Sequence, residues 1–177
     1  MPVEFGTEIV GIKEALRDLQ KVDKDLANRL KREARKIMQP IVYDAQREIP
    51  IKALSGWENK WTSKKTGVQL LPWDGYTARK YVKAKTTTKK PKEFQGVVRD
   101  LAVFYVSWAG GVNMLFDMAG RKNDSVMAAN LTAKFGPPSR IMWPARDKNE
   151  EAVQENISKV VDEIVDETNK QLGRRLR

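Results

Sequence analysis

Apolar residues at the start of the chain change their spacing at Gly11. Val3 to Val10 carries closely spaced apolar positions, which favours a short β-strand ended by Gly11. From Ile12 to Ile49 the apolar residues recur at steps of three or four positions or their multiples, which predicts a helix with one buried face. The chain is therefore expected to begin with a strand followed by a long helical region.

Two positions are expected to interrupt this helical region. Asp23 is a residue type that accepts hydrogen bonds at a helix start, so it can cap a longer helix after a short first one. Pro40 lacks a backbone N–H and its ring collides with the carbonyl four residues earlier, which predicts a kink near Lys36. Pro50 lies just past the last apolar position and marks the end of the helix.

Residues 51–95 form a segment of different composition, rich in tryptophan and lysine. We interpret this segment as a loop and arm inserted into the domain, with a short strand at Gly67–Leu71. Tryptophan is costly to leave in water, so its three tryptophans should pack, either on the chain's own core or on a partner subunit. They are Trp57, Trp61 and Trp73.

β-Branched and aromatic residues predict strands in the middle of the chain. Tyr76 to Thr88 contains an alternating basic strand, and Gly96 to Trp108 contains a second strand. Lys89–Lys92 lies between them as a charged turn or arm. Val112 to Met118 is a candidate for a third strand.

The clearest predicted element is an amphipathic helix near the end of the chain. Apolar residues repeating about every 3.6 positions predict one buried helix face within residues 147–172. Gly173 is expected to stop the helix and to leave a basic tail over residues 173–177. The apolar face consists of Val153, Ile157, Val160, Val161, Ile164, Val165 and Leu172.

The chain of 177 residues is short enough for a single domain and contains no cysteine and no histidine. These absences exclude disulfides, thiolate or imidazole metal sites, a Ser-His-Asp triad and a Cys-His dyad. A carboxylate-only site stays open, but Asp117, Asp124 and Asp147 have no liganding spacing and are interpreted as surface residues. No catalytic residue, metal or cofactor is therefore predicted.

The chain begins without a signal-peptide pattern, and its apolar runs are short. They fall well below the roughly 20 residues that a membrane-spanning helix needs. A soluble protein with no membrane partner is expected.

Charge is distributed unevenly along this chain, whose net charge is +10. Residues 58–99 hold 11 Lys and Arg against 3 Asp and Glu, whereas residues 147–171 hold eight acids against three lysines. The basic stretch fits a phosphate-tracking surface with interleaved aromatic side chains, or a solvated or protein-binding face. In an oligomer, the acidic helix of one copy could meet the basic strands of the next. The interface residues of this hypothesis are Trp57, Trp61, Trp73, Lys83, Lys85, Lys89, Lys90, Glu163 and Glu167.

The order of several short motifs resembles the tail-completion proteins of tailed bacteriophages, related to minor tail protein Z of phage lambda, in the version found in phages of actinobacteria. The best match is Phe116–Gly120 together with Phe135–Ala145, which leads into the final helix. The opening around Gly11–Leu16 and the end of the first helical region at Pro50 are also similar to the family. The Gly56–Pro91 insert departs from its shorter members.

The resemblance implies an α+β fold, with a small antiparallel sheet packed with a long kinked N-terminal helix and a C-terminal amphipathic helix. It also implies a structural protein of the virion neck or upper tail, which would be in the host cytoplasm during assembly. The implied partners are other copies in a ring, with six-fold symmetry taken from the tail, and the head-closure, tail-terminator and tail-tube proteins. DNA in the channel is a further, non-specific contact.

Three other functions remain open from the sequence. A tail terminator ring protein is the nearest variant of the assembly role. A stand-alone nucleic-acid-binding protein could use the same basic stretch. A carboxylate-dependent hydrolase is the third, and the missing histidine and cysteine argue against it.

Overall fold

The computed structural model of this protein describes residues 3–7, 12–54, 57, 62–69, 72–87, 92–94, 97–99, 104–121 and 125–175. Helices and strands are mixed along the chain, which confirms the predicted α+β class. The helices are α1 (Ile12–Val22), α2 (Lys24–Ile37), α3 (Gln39–Glu48), α4 (Gly75–Lys80), α5 (Gly111–Met118), α6 (Val126–Phe135) and α7 (Met142–Arg175).

The strands form two small sheets. They are β1 (Val3–Thr7), β2 (Val82–Thr86), β3 (Lys92–Phe94), β4 (Val97–Arg99) and β5 (Phe104–Trp108). One sheet has the order β1, β5, β2, so β5 is its central strand, and β3 pairs antiparallel with β4 in the other. The single strand predicted over Gly96–Trp108 is therefore two strands in different sheets, and residues 100–103 lie outside the described residues.

Asp23 caps α2 as predicted. Its side-chain oxygen Oδ1 accepts the backbone N–H of Asp25 at 2.9 Å and of Leu26 at 3.0 Å. These N–H groups have no partner within the helix, so the carboxylate stabilises the helix start. A short α1 and a longer α2 result, as the sequence indicated.

The predicted kink is confirmed and lies at Met38, between α2 and α3. Pro40 is the second residue of α3, where a missing N–H costs little because first-turn N–H groups have no helical partner. The same proline cannot donate to the carbonyl of Lys36, so the hydrogen-bond ladder of α2 cannot continue through it. Residues 24–48 therefore form one bent helix.

The third predicted strand, Val112–Met118, is wrong, because these residues belong to helix α5. The buried residues of α5 are Asn113, Phe116 and Asp117, and their spacing of three and four is helical. The other apolar residues of α5 gave this segment the composition of a strand. A segment of seven residues is too short for the spacing of its apolar positions to distinguish a helix from a strand.

The basic strand is confirmed as β2, but Tyr76–Lys80 before it is a helix. Asp74 caps this helix, α4, by accepting the Tyr76 N–H at 3.0 Å. The strand predicted over Gly67–Leu71 is reduced to an isolated antiparallel bridge between Thr62 and Gln69, and residues 70 and 71 lie outside the described residues.

Helix α7 begins earlier and ends later than predicted. It starts at Met142 and continues through Gly173 to Arg175, so the predicted stop at Gly173 is wrong. Of the seven residues of the predicted apolar face, Val153, Ile157 and Ile164 are buried, and Val160 and Val161 are half-buried. Val165 is 49% exposed and lies off that face.

The chain forms two compact units. The first comprises residues 1–4, 41–83 and 106–148, and the second comprises residues 5–40, 84–105 and 149–177. The second unit buries Leu16 of α1, Leu30 of α2 and Ile157 of α7. The first unit contains the aromatic cluster described next, of which Trp57, Trp108 and Phe116 are buried.

Candidate functional site

Four aromatic rings surround Phe116 in the first unit. Phe116 is 0% exposed, and its ring centroid lies 4.8 Å from that of Trp73 and 5.1 Å from that of Phe135. Trp57 and Trp108 complete the cluster at 6.4 Å and 6.3 Å from Phe116. These separations are within the range in which aromatic pairs attract each other beyond simple burial.

Two of the predicted interface tryptophans thus pack within the chain itself, Trp57 as a buried core residue and Trp73 as a half-buried one. Trp57 is 3% exposed, and it stacks on Trp73 with 5.5 Å between ring centroids. The indole N–H of Trp73 donates to the carbonyl of Pro50 at 3.3 Å. Of the two packing partners that the sequence left open, the chain's own core is the one found for Trp57 and Trp73. Trp61 lies outside the described residues.

Arg140 is a buried cation directly before α7, and it uses all five of its N–H donors. It satisfies carbonyls at the C-terminal ends of α5 and α6, where the helix dipole favours a positive charge. Its acceptors are Phe116 O at 2.8 Å, Asp117 O at 3.2 Å, Ala119 O at 3.1 Å, Gly136 O at 2.9 Å and Thr132 Oγ1 at 3.1 Å.

Asp117 is the matching buried anion, and it is 0% exposed. Its Oδ1 accepts the backbone N–H of Ile141 at 2.7 Å, immediately before Met142 begins α7. A carboxylate from the last turn of α5 therefore caps a helix that starts 25 residues later in the chain. The interpretation of Asp117 as a surface residue is wrong.

Burial controls the ionisation of this pair. Loss of solvent raises the pKa of Asp117 above its ordinary value, and the Ile141 amide and the Arg140 charge only partly oppose this effect. Burial also lowers the pKa of Arg140, against the stabilising charge of Asp117. The Oδ2 atom of Asp117 has no hydrogen-bond partner among the described residues.

The backbone around this pair is tightly specified. Gly120 has φ of 97°, and a Cβ there would lie 3.3 Å from the Pro138 ring. Ser139 has φ of 72°, which is uncommon for a residue with a side chain. Its N–H donates to the carbonyl of Asp117 at 2.7 Å, which holds it in that conformation. We call Asp117, Arg140 and these three turn residues the α5–α7 joint.

The predicted basic interface residues lie on or near β2. Lys83 is exposed and Lys85 is partly exposed, whereas Lys89 and Lys90 lie outside the described residues. Within the second unit, Arg35 of α2 donates to Thr86 Oγ1 at 3.0 Å and ties this strand to the helix.

The two predicted acidic residues differ in their surroundings. Glu163 is exposed on α7. Glu167 already pairs with Arg29 of α2 at 2.8 Å, with both side chains less than half exposed. Asp162 and Asp166 are also exposed, so the outer surface of this part of α7 is acidic.

The described residues contain no group of three or more carboxylates placed to hold a metal ion. Asp117 is buried, Asp147 is exposed beside Arg146, and Asp124 lies outside the described residues. Among the described helices, none is long and apolar enough to cross a membrane.

Sequence reasoning overlooked Arg140, which had no assigned role. A signal was available in its position, because Arg140 directly precedes the apolar run Ile141–Trp143, where a charged side chain must be buried or turned away. What the sequence could not show was that its acceptors, four backbone carbonyls and the Thr132 hydroxyl, lie in and at the ends of two other helices.

Comparisons of this chain with protein-family models, with curated proteins and with solved structures found no match.

Proposed function

We propose that this chain is a structural virion protein of a tailed bacteriophage. It would act as a ring-forming subunit at the head–tail junction or at the upper end of the tail. The observation that carries the proposal is the meeting of the two best-matching motifs, Phe116–Gly120 and Phe135–Ala145, in the α5–α7 joint.

Three side chains of the matching motifs, Phe116, Asp117 and Arg140, are buried and make contacts inside the chain. Arg140 donates all of its N–H groups to α5, α6 and the residues at their ends, and Asp117 caps α7. Phe116 lies at the centre of the aromatic cluster. Motif residues of this kind stabilise the fold, as expected of a family whose members act by assembling with other proteins. The proposal therefore rests on the sequence resemblance, and the joint supplies a physical reason for the resemblance.

Surface charge supports the same role. The second half of α7 exposes Asp162, Glu163 and Asp166, whereas Lys83 is exposed on β2. Between copies in a ring, opposite charges of this kind select orientation and partner more than they add affinity. Apolar and aromatic contacts would supply most of the affinity.

The test is deletion of the gene from the phage that encodes it, followed by electron microscopy of the lysate. Filled heads separated from tails of normal length are expected, with infectivity restored by the wild-type chain supplied in trans. Over-long tails would instead assign the chain to tail termination, because a terminator ring stops tube growth. Intact, infectious particles without the chain would overturn the proposal.

A further inference from the structure

Helices α3 and α4 carry the same five-residue pattern. It reads Tyr43-Asp44-Ala45-Gln46-Arg47 in α3 and Tyr76-Thr77-Ala78-Arg79-Lys80 in α4. The alanine is buried in both helices, whereas the tyrosines are 66% and 61% exposed. Residues four apart share a helix face, so each helix presents an aromatic ring beside a cation.

The fourth residue of each pattern joins the two helices. Gln46 Nε2 donates to the carbonyls of Arg79 at 3.1 Å and Val82 at 3.4 Å. The Arg79 guanidinium donates to the carbonyl of Ile49 at 2.7 Å and 3.1 Å. At the other end of α4, Gly75 packs so closely that a Cβ would lie 2.4 Å from the Pro50 carbonyl oxygen. The end of α3 therefore lies beside the start of α4, and the helices run antiparallel.

This arrangement places both rings on one outer surface. Successive helix residues differ by about 100° in direction, so a tyrosine three positions before Gln46 or Arg79 lies about 60° from that residue around the helix axis. The buried alanine lies on the opposite side of Gln46 or Arg79. Because the helices are antiparallel, these offsets put Tyr43 and Tyr76 along the same groove, with Arg47 and Lys80 between them. The rise of about 1.5 Å per residue spaces the two tyrosines roughly 10 Å apart along the groove.

The groove surface is positively charged. Lys80 and Lys83 are exposed, and Arg47 is 59% exposed at its side chain. Three acids are near in sequence, and each has a partner: Glu48 pairs with Arg47 at 3.3 Å, Asp44 pairs with Lys148 at 3.0 Å, and Asp74 caps α4. Tyr81, which follows α4 directly, adds a third exposed ring at 47%.

We propose that the groove between α3 and α4 binds single-stranded nucleic acid. Its cations would neutralise phosphates, and its tyrosines would stack on bases. The exposed rings favour a single strand over a duplex, whose bases are already stacked on each other. They also favour it over an acidic protein helix, which offers carboxylates without aromatic faces. This binding is independent of the assembly role, so either can fail alone.

The experiment measures fluorescence anisotropy of a labelled 12-nucleotide oligo-dT with the full-length chain across a salt series. Replacing both rings (Tyr43→Leu with Tyr76→Leu) should weaken binding at least about tenfold, because stacking of bases on aromatic rings is lost at two positions. The pair Tyr43→Phe with Tyr76→Phe keeps both rings and should bind as the wild type does. This conservative pair also shows whether any loss in the leucine variant is due to the rings themselves.

A second pair of variants tests whether Arg47 and Lys80 contact phosphates. Arg47→Gln with Lys80→Gln should flatten the slope of log Kd against log salt by about 1.4, since each phosphate contact on a single strand contributes about 0.7. Lys24→Gln with Arg32→Gln removes the same charge from exposed positions on α2 and should leave the slope nearly unchanged. Melting curves by circular dichroism confirm that each variant is folded.

Three results would overturn this site. One is undiminished binding by the leucine variant. Another is equal loss of binding to oligo-dT and to a duplex in every variant. The third is equal competition by poly-glutamate of matched charge, which would assign the groove to an acidic protein surface.

Discussion

Asp117 and Arg140 each cap the helix that the other one adjoins. Asp117, in the last turn of α5, accepts the Ile141 N–H at the start of α7, while Arg140, just before α7, donates to the Phe116 carbonyl at 2.8 Å near the end of α5. Each charge also lies at the helix end whose dipole favours it. The pair therefore stabilises the turn that leads into the start of α7.

Removal of the cation from this pair should destabilise the fold strongly. Arg140→Met keeps much of the side-chain volume but leaves buried carbonyls without donors and Asp117 without its neighbouring charge. Breaking one partner of a buried pair costs about 3–5 kcal/mol, to be measured by urea denaturation. Arg121→Met, at an exposed arginine, should change the free energy of unfolding by less than about 0.5 kcal/mol. Equal changes in the free energy of unfolding in the two variants would show that the buried hydrogen bonds of Arg140 do not stabilise the fold.

The raised pKa of Asp117 predicts a pH dependence of stability. Because the folded chain holds this proton more tightly than the unfolded chain, the contribution of Asp117 to stability decreases as pH rises above the ordinary value of 3.8. Asp117→Asn has no proton to lose. Lowering the pH from 7 toward 3.8 should therefore stabilise the wild type relative to Asp117→Asn, measured by chemical denaturation at each pH. A difference that is constant with pH would contradict the raised pKa.

Two glycines at helix starts should respond in opposite ways to alanine. A Cβ at Gly75 would lie 2.4 Å from Pro50 O and 2.5 Å from the Ile51 Cα, so Gly75→Ala must push backbone apart and should lower the melting temperature. Gly111 has open space around its Cβ position. Gly111→Ala should therefore be neutral or stabilising by about 0.4–1 kcal/mol, because it restricts the unfolded chain. If Gly111→Ala destabilised the fold and Gly75→Ala did not, the inference that only Gly75 is closely packed would be contradicted.

The acidic surface of α7 should matter for assembly and not for folding. Glu163 and Asp166 are exposed, whereas Glu167 is already paired with Arg29, so the sharper variant is Glu163→Lys with Asp166→Lys. Its melting temperature should stay near that of the wild type, while heads and tails fail to join. The defect should be milder at high salt, because salt screens the repulsion between the new lysines and the basic partner surface. Restoration by Lys83→Glu would identify the basic partner. Normal, infectious particles from the double variant would show that the acidic surface of α7 only faces solvent and takes no part in assembly.

Local signals in the sequence predicted the elements whose causes are local. The Asp23 cap, the Pro40 bend, the basic strand β2 and most of the buried face of α7 follow from residues within a turn or two of each other. The Ser125 cap of α6 and its end at Gly136 are of the same kind, and these signals were present although the helix was not predicted.

Distant contacts caused the errors. The start of α7 was placed too late because its cap, Asp117, comes from another helix, and no local pattern reveals it. The packing partner of Trp73 stayed open in the sequence, because Phe116 is far along the chain. Gly173 failed to stop α7, since a glycine ends a helix only where the backbone adopts the required turn.

The assembly role is tested most directly by locating the chain in the particle. A peptide tag appended to the chain, labelled with gold in purified virions and viewed by electron microscopy, should place the label at the junction of head and tail. The untagged phage serves as the control for background. Label on the capsid faces or at the distal tail tip, or its absence from infectious particles that contain the tagged gene as their only copy, would contradict the proposed role.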